Sequence, residues 1–369
     1  MAREILLNKY ESKLQSGPRS VSGGSVQRAA SVSRAAALAC MLAFAISCTS
    51  VPRYARPGDF ADVGPEFSGE IVEAHRDALR GLGPRWPGSQ SDEIARAYLA
   101  GGFRSHGARA RRASGGVSEG AIGHAHAIHA GREHFIAEIS GNSDDVVLLV
   151  ATYPVLGSSS WIDDTGAAVL LELARVFEAT RPAYGLRFAL AEVRPSARGL
   201  AADAPETSGV GAWEPVESVD AARRLVVNAG RSLAARIRDE GGTDHIRAII
   251  VLDLSADAQF RFSRDLRSHP GFRELFWDSA ARRGQQAMFP RGADWAASGR
   301  LQLGFREAGV DRILALVSDR TPAPVRGGAM RAGSTAGPST EELTSFGRVI
   351  ADALNQLMRR FEKVDAFSR

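Results

Sequence analysis

Residues 148–177, LLVATYPVLGSSSWIDDTGAAVLLELARVF, constrain the fold more than any other stretch. The apolar run from Val146 to Ala151 has no polar alternation, which marks a strand buried on both faces. It stops at a polar, Ser-rich turn. Two carboxylates follow, Asp163 and Asp164, and a helix starts at once. A strand covered on both sides and followed directly by a helix is part of a crossover unit, which builds parallel sheets. The turn falls at the carboxyl end of the strand, where open α/β sheets keep their chemistry.

The rest of the chain repeats that alternation. Helical periodicity covers Glu70–Leu82 and a segment from about Asp92, where Ser89 and Asp92 have capping spacing. AIGHAHAIHA and EHFIAEISG alternate like neighbouring strands, and GLRFALAEV and HIRAIIVLDLSAD read as further strands. Helices are expected at Thr165–Thr180, in GRSLAARIRDEG, in PGFRELFWDSAARRG and near Leu301–Ala308. The strand DRILALV precedes a closing helix with the apolar stripe Leu343, Phe346, Ile350, Leu354, Leu357 and Phe361, opened by Ser339 and Glu342. The predicted fold is a three-layer α/β/α sandwich with a mostly parallel central sheet. The stretches 201–227 and 318–338 are the least regular.

Charge locates a leader. The net charge of +4 is accounted for by residues 1–47, with six basic residues against two acidic ones. The remainder is balanced, which argues against a nucleic-acid partner. Arg28 and Arg34 precede AAALACMLAFAIS, an apolar run too short to span a bilayer comfortably but suited to a signal-peptide core. It ends in AISC, which resembles the bacterial lipobox. Residues 1–47 are therefore expected to be a lipoprotein-type signal peptide, with Cys48 the lipidated residue, 48–65 a tether and 66–369 one domain. The expected location is the cell envelope, anchored to a bacterial membrane, with the outer membrane facing the periplasm preferred because Thr49 is not Asp. Cys40 would leave with the leader, so the mature chain has neither a disulfide nor a Cys-based zinc site.

The motifs LGPRWPGS (82–89), HFIAEISG with VVLLVATYP, GAAVLLELARVF, IRAIIVLDLSAD, FWDSAARRG with FREAGVDRILALVSD, and STEELTSFGRVIADALNQL occur in an order and spacing that resemble the zinc aminopeptidase and glutaminyl cyclase family over about residues 66–362. The resemblance implies a zinc-aminopeptidase-like fold and one or two zinc ions held by His and carboxylates. Carried over by position, the family's first His falls on Thr152 and its following Asp on Pro154. The bridging Asp falls on Ile162, or on Asp163 after a one-residue deletion. The Glu-Glu pair falls on Arg194-Pro195, with Glu192 two residues early. The central-strand Asp is kept as Asp253. The later Asp-Asp-His falls on Arg300-Leu301-Gln302, and the last His falls near Ala329.

Every imidazole ligand and the general base are thus replaced. The resemblance implies a non-catalytic member that binds a peptide or protein through the former substrate cleft. That cleft would be lined by Thr152, Asp163, Asp164, Arg194 and Gln302, with Asp253 and Glu192 as catalytic remnants and no cofactor. The alternatives are an active metal-dependent aminopeptidase or glutaminyl cyclase using zinc on a rearranged set such as Asp163, Glu192 and Asp253, and a purely structural envelope lipoprotein. Other chemistry-bearing patterns read as ordinary surface. These are His124, His126 and His129 on one strand, the GVSEG turn at Gly116–Gly120, and the carboxylates Asp163, Asp164, Glu192, Asp253 and Asp257 as an all-oxygen set.

Overall fold

The computed structural model describes residues 66–85, 89–113, 134–154, 164–180, 182–193, 219–239, 243–254, 259–292, 294–295, 300–319 and 337–367. Two helices open the domain, α1 (Gly69–Gly81) and α2 (Gln90–Ser105). Ser68 and Ser89 cap them, accepting hydrogen bonds from the Ile71 and Asp92 amides. Then follow β1 (Arg109–Ala113), β2 (His134–Ile139), β3 (Ser143–Pro154), α3 (Thr165–Glu178), β4 (Tyr184–Val193), α4 (Val219–Asp239) and β5 (Ile246–Asp253). The short strands β6 (Gln259–Phe262) and β7 (Arg264–Asp265) lead to α5 (Pro270–Arg282). β8 (Asp294–Trp295), α6 (Arg300–Glu307), β9 (Ile313–Asp319) and α7 (Thr340–Phe367) complete the chain. No described helix is long and apolar enough to cross a membrane.

Seven strands form one sheet in the order β1-β2-β4-β3-β5-β9-β6. The four central strands, β4, β3, β5 and β9, are parallel, and the outer pairings, β1–β2, β2–β4 and β6–β9, are antiparallel. The sheet is therefore mixed, with its parallel part in the middle where both faces are covered. Five helices, α1, α2, α3, α5 and α7, pack on one face around Leu149, Phe188, Ile250 and Leu314. Helices α4 and α6 cover the other around Val150, Ala189, Val251 and Ala315.

Two sequence expectations are corrected. Helix α4 begins at Val219, inside the stretch read as irregular, because VDAARRLVVNAG continues the apolar face of GRSLAARIRDEG by almost three turns. Strand β1, RARRA, went unread because it lacks the apolar alternation that marks a half-buried strand. Helix α7 starts as expected, with the Ser339 hydroxyl accepting from the Glu342 amide and the Glu342 carboxylate accepting from the Ser339 amide.

The first described residues are pinned to α3. Glu172, fully buried, accepts from the Ser68 amide at 2.8 Å and from Arg175 at 2.7 Å. Arg175 in turn donates to the Glu66 carbonyl at 2.6 Å. Nearby, His75 is buried with its Nδ1 2.7 Å from the Tyr98 hydroxyl. Burial, then the positive charges of His106 and Arg175, lower its pKa to about 3. The folded protein thus holds His75 neutral while the unfolded imidazole titrates near 6.5. Its contribution is intact above pH 6.5 and is lost progressively as the pH falls towards 3. Between pH 7 and pH 5 this costs about 2 kcal/mol. Urea unfolding of His75→Gln should lose that much less stability over the same interval, and an unchanged acid limb would refute the assignment.

Candidate functional site

Strands β3, β4 and β5 end side by side. Tyr153 pairs with Glu192, and Ala151 pairs with Leu252, which puts Thr152 beside Asp253. Side chains alternate along each strand. Tyr153 and Glu192 therefore face the five-helix layer with Ala151 and Leu190, whereas Thr152 and Asp253 face α4 and α6 with Val150 and Val251. The two carboxylates carried over as remnants point to opposite sides of the sheet and enter two different clusters.

The first cluster lies between β3, β4, α2 and the start of α3. Asp164 precedes the first turn of α3 and is buried, as is Arg85. Both terminal guanidinium nitrogens of Arg85 donate to the Asp164 carboxylate, Nη1 at 2.7 Å, and Nη2 also donates to the Leu79 carbonyl at 3.0 Å. Arg96 on α2 donates through Nε to both oxygens of Asp92 at 3.0 Å and through Nη2 to Glu192 at 2.6 Å. Tyr153 stands between the two arginines, with each guanidinium carbon 5.4 Å from its ring centre. Its hydroxyl donates to Asp92 at 3.1 Å.

Burial alone would lower the pKa of Arg96. The charges of Glu192 and Asp92 more than reverse this and hold it above its ordinary value. Arg85 is likewise raised, burial being outweighed by its bonds to Asp164. Burial and then Asp92 push the Tyr153 phenol well up, so it stays a hydrogen-bond donor throughout the physiological range. Next to this cluster, His134 on β2 is also fully engaged. Its Nδ1 accepts from the Glu192 amide at 3.3 Å, which leaves Nε2 as the protonated nitrogen, 3.0 Å from the Ser232 hydroxyl.

On the other face, Asp253 receives the Arg300 amide at 2.8 Å and its guanidinium at 3.2 Å. Asp253 thereby both caps the start of α6 and neutralises its first side chain, a favourable place for a carboxylate at a helix N-terminus. Gln302, in the same turn, is fully buried, and among the described residues neither polar atom of its amide has a hydrogen-bond partner.

Thr152, Asp164 and Gln302, expected to line an open cleft, are 5%, 1% and 0% exposed. Ion pairing and helix packing have drawn them inside. Asp163, Arg194, Cys48, Ile162, Asp257 and Ala329 lie outside the described residues, as do the His124–His129 and Gly116–Gly120 patterns. No sequence motif marks Arg85, Asp92, Arg96 or Tyr153 as a site residue. Arg85 stood in a turn motif, and Asp92 had only a capping role.

Zinc requires about four nitrogen, sulfur or carboxylate ligands, with one position open for catalysis. The residues here do not fit it. Asp92, Asp164, Glu192 and Asp253 each already hold a guanidinium, and both nitrogens of His134 are committed. A dication entering beside Glu192 or Asp164 would meet Arg96 or Arg85, so Coulomb repulsion opposes it. Among the described residues, no three of His, Cys, Asp and Glu are gathered to hold a metal.

No family model and no curated protein matches the sequence. Solved structures do match the fold. A leucine aminopeptidase precursor from Bacteroides thetaiotaomicron superposes with a TM-score of 0.55 at 14% identity, covering 79% of this chain and 98% of that one. A glutaminyl cyclase from an Acidobacteriales bacterium gives 0.55 at 18% identity, covering 80% and 96%. A Zn-dependent exopeptidase from Parabacteroides distasonis gives 0.52 at 16% identity, covering 79% and 99%. The chain thus has the α/β fold of the zinc-aminopeptidase-like and glutaminyl cyclase structures.

Proposed function

We propose that the chain is a non-catalytic member of the zinc aminopeptidase and glutaminyl cyclase family, an envelope lipoprotein anchored through Cys48 that binds a peptide or protein at the carboxyl-terminal edge of the sheet, where the central strands end. The observation that carries this reading is the pairing of Asp164, Glu192 and Asp253, at the ends of the central strands, each with a buried arginine. The positive charge that zinc would supply is already provided by Arg85, Arg96 and Arg300. A guanidinium already bonded to each of these carboxylates competes with any proton it would have to take up as a general base, and the guanidinium groups do not give up protons near neutral pH. The cluster therefore stabilises the strand ends and presents a rigid floor to whatever binds above them.

The test is zinc itself. A ligand that binds only the folded state at a hundredfold excess over its Kd adds about 2.7 kcal/mol. For a domain of this size that would raise Tm by several degrees, at roughly 2 °C or more per kcal/mol. The expected result is no Tm change with micromolar zinc or with chelator, and no release of amino acids or cyclisation of N-terminal glutamine. Zinc-dependent stabilisation that disappears in Asp253→Ala would sink this reading in favour of a rearranged metal site.

A further inference from the structure

Helix α7 carries a second surface that the sheet-edge site does not use. Along it, Arg348, Asp352, Gln356, Arg360 and Val364 follow one another at four-residue spacing, and Arg359, Lys363 and Phe367 form the adjacent row. Arg282 and Arg283, at the end of α5, border the same helix. Two adjoining concavities of about 370 and 390 Å³ lie along it and share Asp352.

The charge there is lopsided. Glu66 is 2.7 Å from Arg348, and Asp352 is 3.5 Å from Arg282. Among the described residues no carboxylate pairs with Arg283, Arg359, Arg360 or Lys363, all of them exposed. Beyond residue 47 the chain is balanced between acid and base. The excess is therefore a local feature of this face and not general basicity. At the end of the same helix Val364 is 56% and Phe367 91% exposed, two of the four large apolar side chains that are exposed among the described residues.

We propose that this face, centred on Arg359, Arg360, Lys363 and Phe367, rests on an anionic phospholipid surface. Cations beside exposed apolar side chains suit an interface where phosphate headgroups meet acyl chains. The position of the domain's first residues supports a membrane over an acidic protein. Arg175 and Glu172 hold Glu66 and Ser68 on α3, and Glu66 reaches Arg348 on the same helix, so the chain leading from Cys48 joins the domain at this face. Seventeen residues lie between Cys48 and Glu66. Fully extended, that linking chain spans at most about 65 Å, so an anchored bilayer is within reach of this face. The orientation rests on the lipoprotein reading, whereas the lipid affinity of the patch does not.

The experiment uses the full chain carrying Cys48→Ser, so that no acyl group contributes, and measures co-sedimentation with vesicles. Partition onto vesicles containing phosphatidylglycerol should exceed that onto phosphatidylcholine alone and should weaken with salt. Adding Arg359→Ala, Arg360→Ala and Lys363→Ala should reduce it about a hundredfold, since each cation near an anionic surface contributes about one kcal/mol. The leader is common to both chains, so the difference between them belongs to the patch. Equal partition of the two chains, or equal binding to both vesicle types, would overturn the proposal. So would binding to polyglutamate without binding to vesicles, which assigns the face to an acidic protein. Fractionation of wild-type and Cys48→Ser cells tests the anchor separately.

Discussion

Arg85→Met is expected to destabilise the domain by about 3–5 kcal/mol, the range for removing one partner of a buried ion pair. The Asp164 carboxylate would keep its burial and lose both of its guanidinium bonds. The Leu79 carbonyl would lose a donor, and Tyr153 one of its two stacked cations. At roughly 2 °C per kcal/mol the melting temperature should fall by about 6–10 °C. Adding Asp164→Asn should recover part of this, because an amide tolerates the desolvated position better than an unpaired charge does. The comparison that decides is a double-mutant cycle in thermal and urea unfolding. A loss below about 1 kcal/mol in the single variant would mean that the pair is hydrated in solution. Zinc should not rescue Arg85→Met if guanidinium has permanently replaced metal at these strand ends.

The second large effect is expected far from any charge. Helices α4 and α6 cross at Gly230 and Gly304, where backbone meets backbone. A methyl group on Gly304 would overlap the Val227 carbonyl oxygen and the Arg231 nitrogen and lie 2.7 Å from the Gly230 carbonyl carbon. None of these atoms belongs to a flexible side-chain end, so the helices must separate. Gly304→Ala should cost about 3 kcal/mol, the upper end of ordinary overpacking, despite the better helix propensity of alanine. Gly309→Ala, where the added methyl meets open space but φ is +82°, should cost less, about 1 kcal/mol. Equal losses in the two variants would show that the crossing is not tight.

The fold was legible because its signals are local. The apolar run in β3, the capping pairs at Ser89 and Ser339 and the stripe on α7 each lie within one element, and steric and hydrophobic rules act there over a few residues. The mixed edge of the sheet was not legible. RARRA carries no apolar alternation, and it pairs with β2, which lies 20 residues further along the chain. The resemblance also points to Asp253 and Glu192 as residues of interest. It left open the side of the sheet each would occupy, since a strand presents alternate residues to opposite faces and the absolute phase depends on which helices cover it.

The sequence by itself determined the order of the main helices and of the central strands, the buried central strand and the apolar run ending at Cys48. Only the tertiary structure decided what the remaining carboxylates do. Arg85 and Asp164 are 79 residues apart, and Arg96 and Glu192 are 96 apart. Opposite charges attract at any sequence separation, so composition cannot say which of 46 cations meets which of 42 anions. That choice is made when α2 is packed across the ends of β3 and β4 by Leu99, Phe103 and Phe188, whose burial provides the driving force. Once the helix is in place, the charges it carries into the low-dielectric interior must pair there, because each unpaired one would cost several kcal/mol.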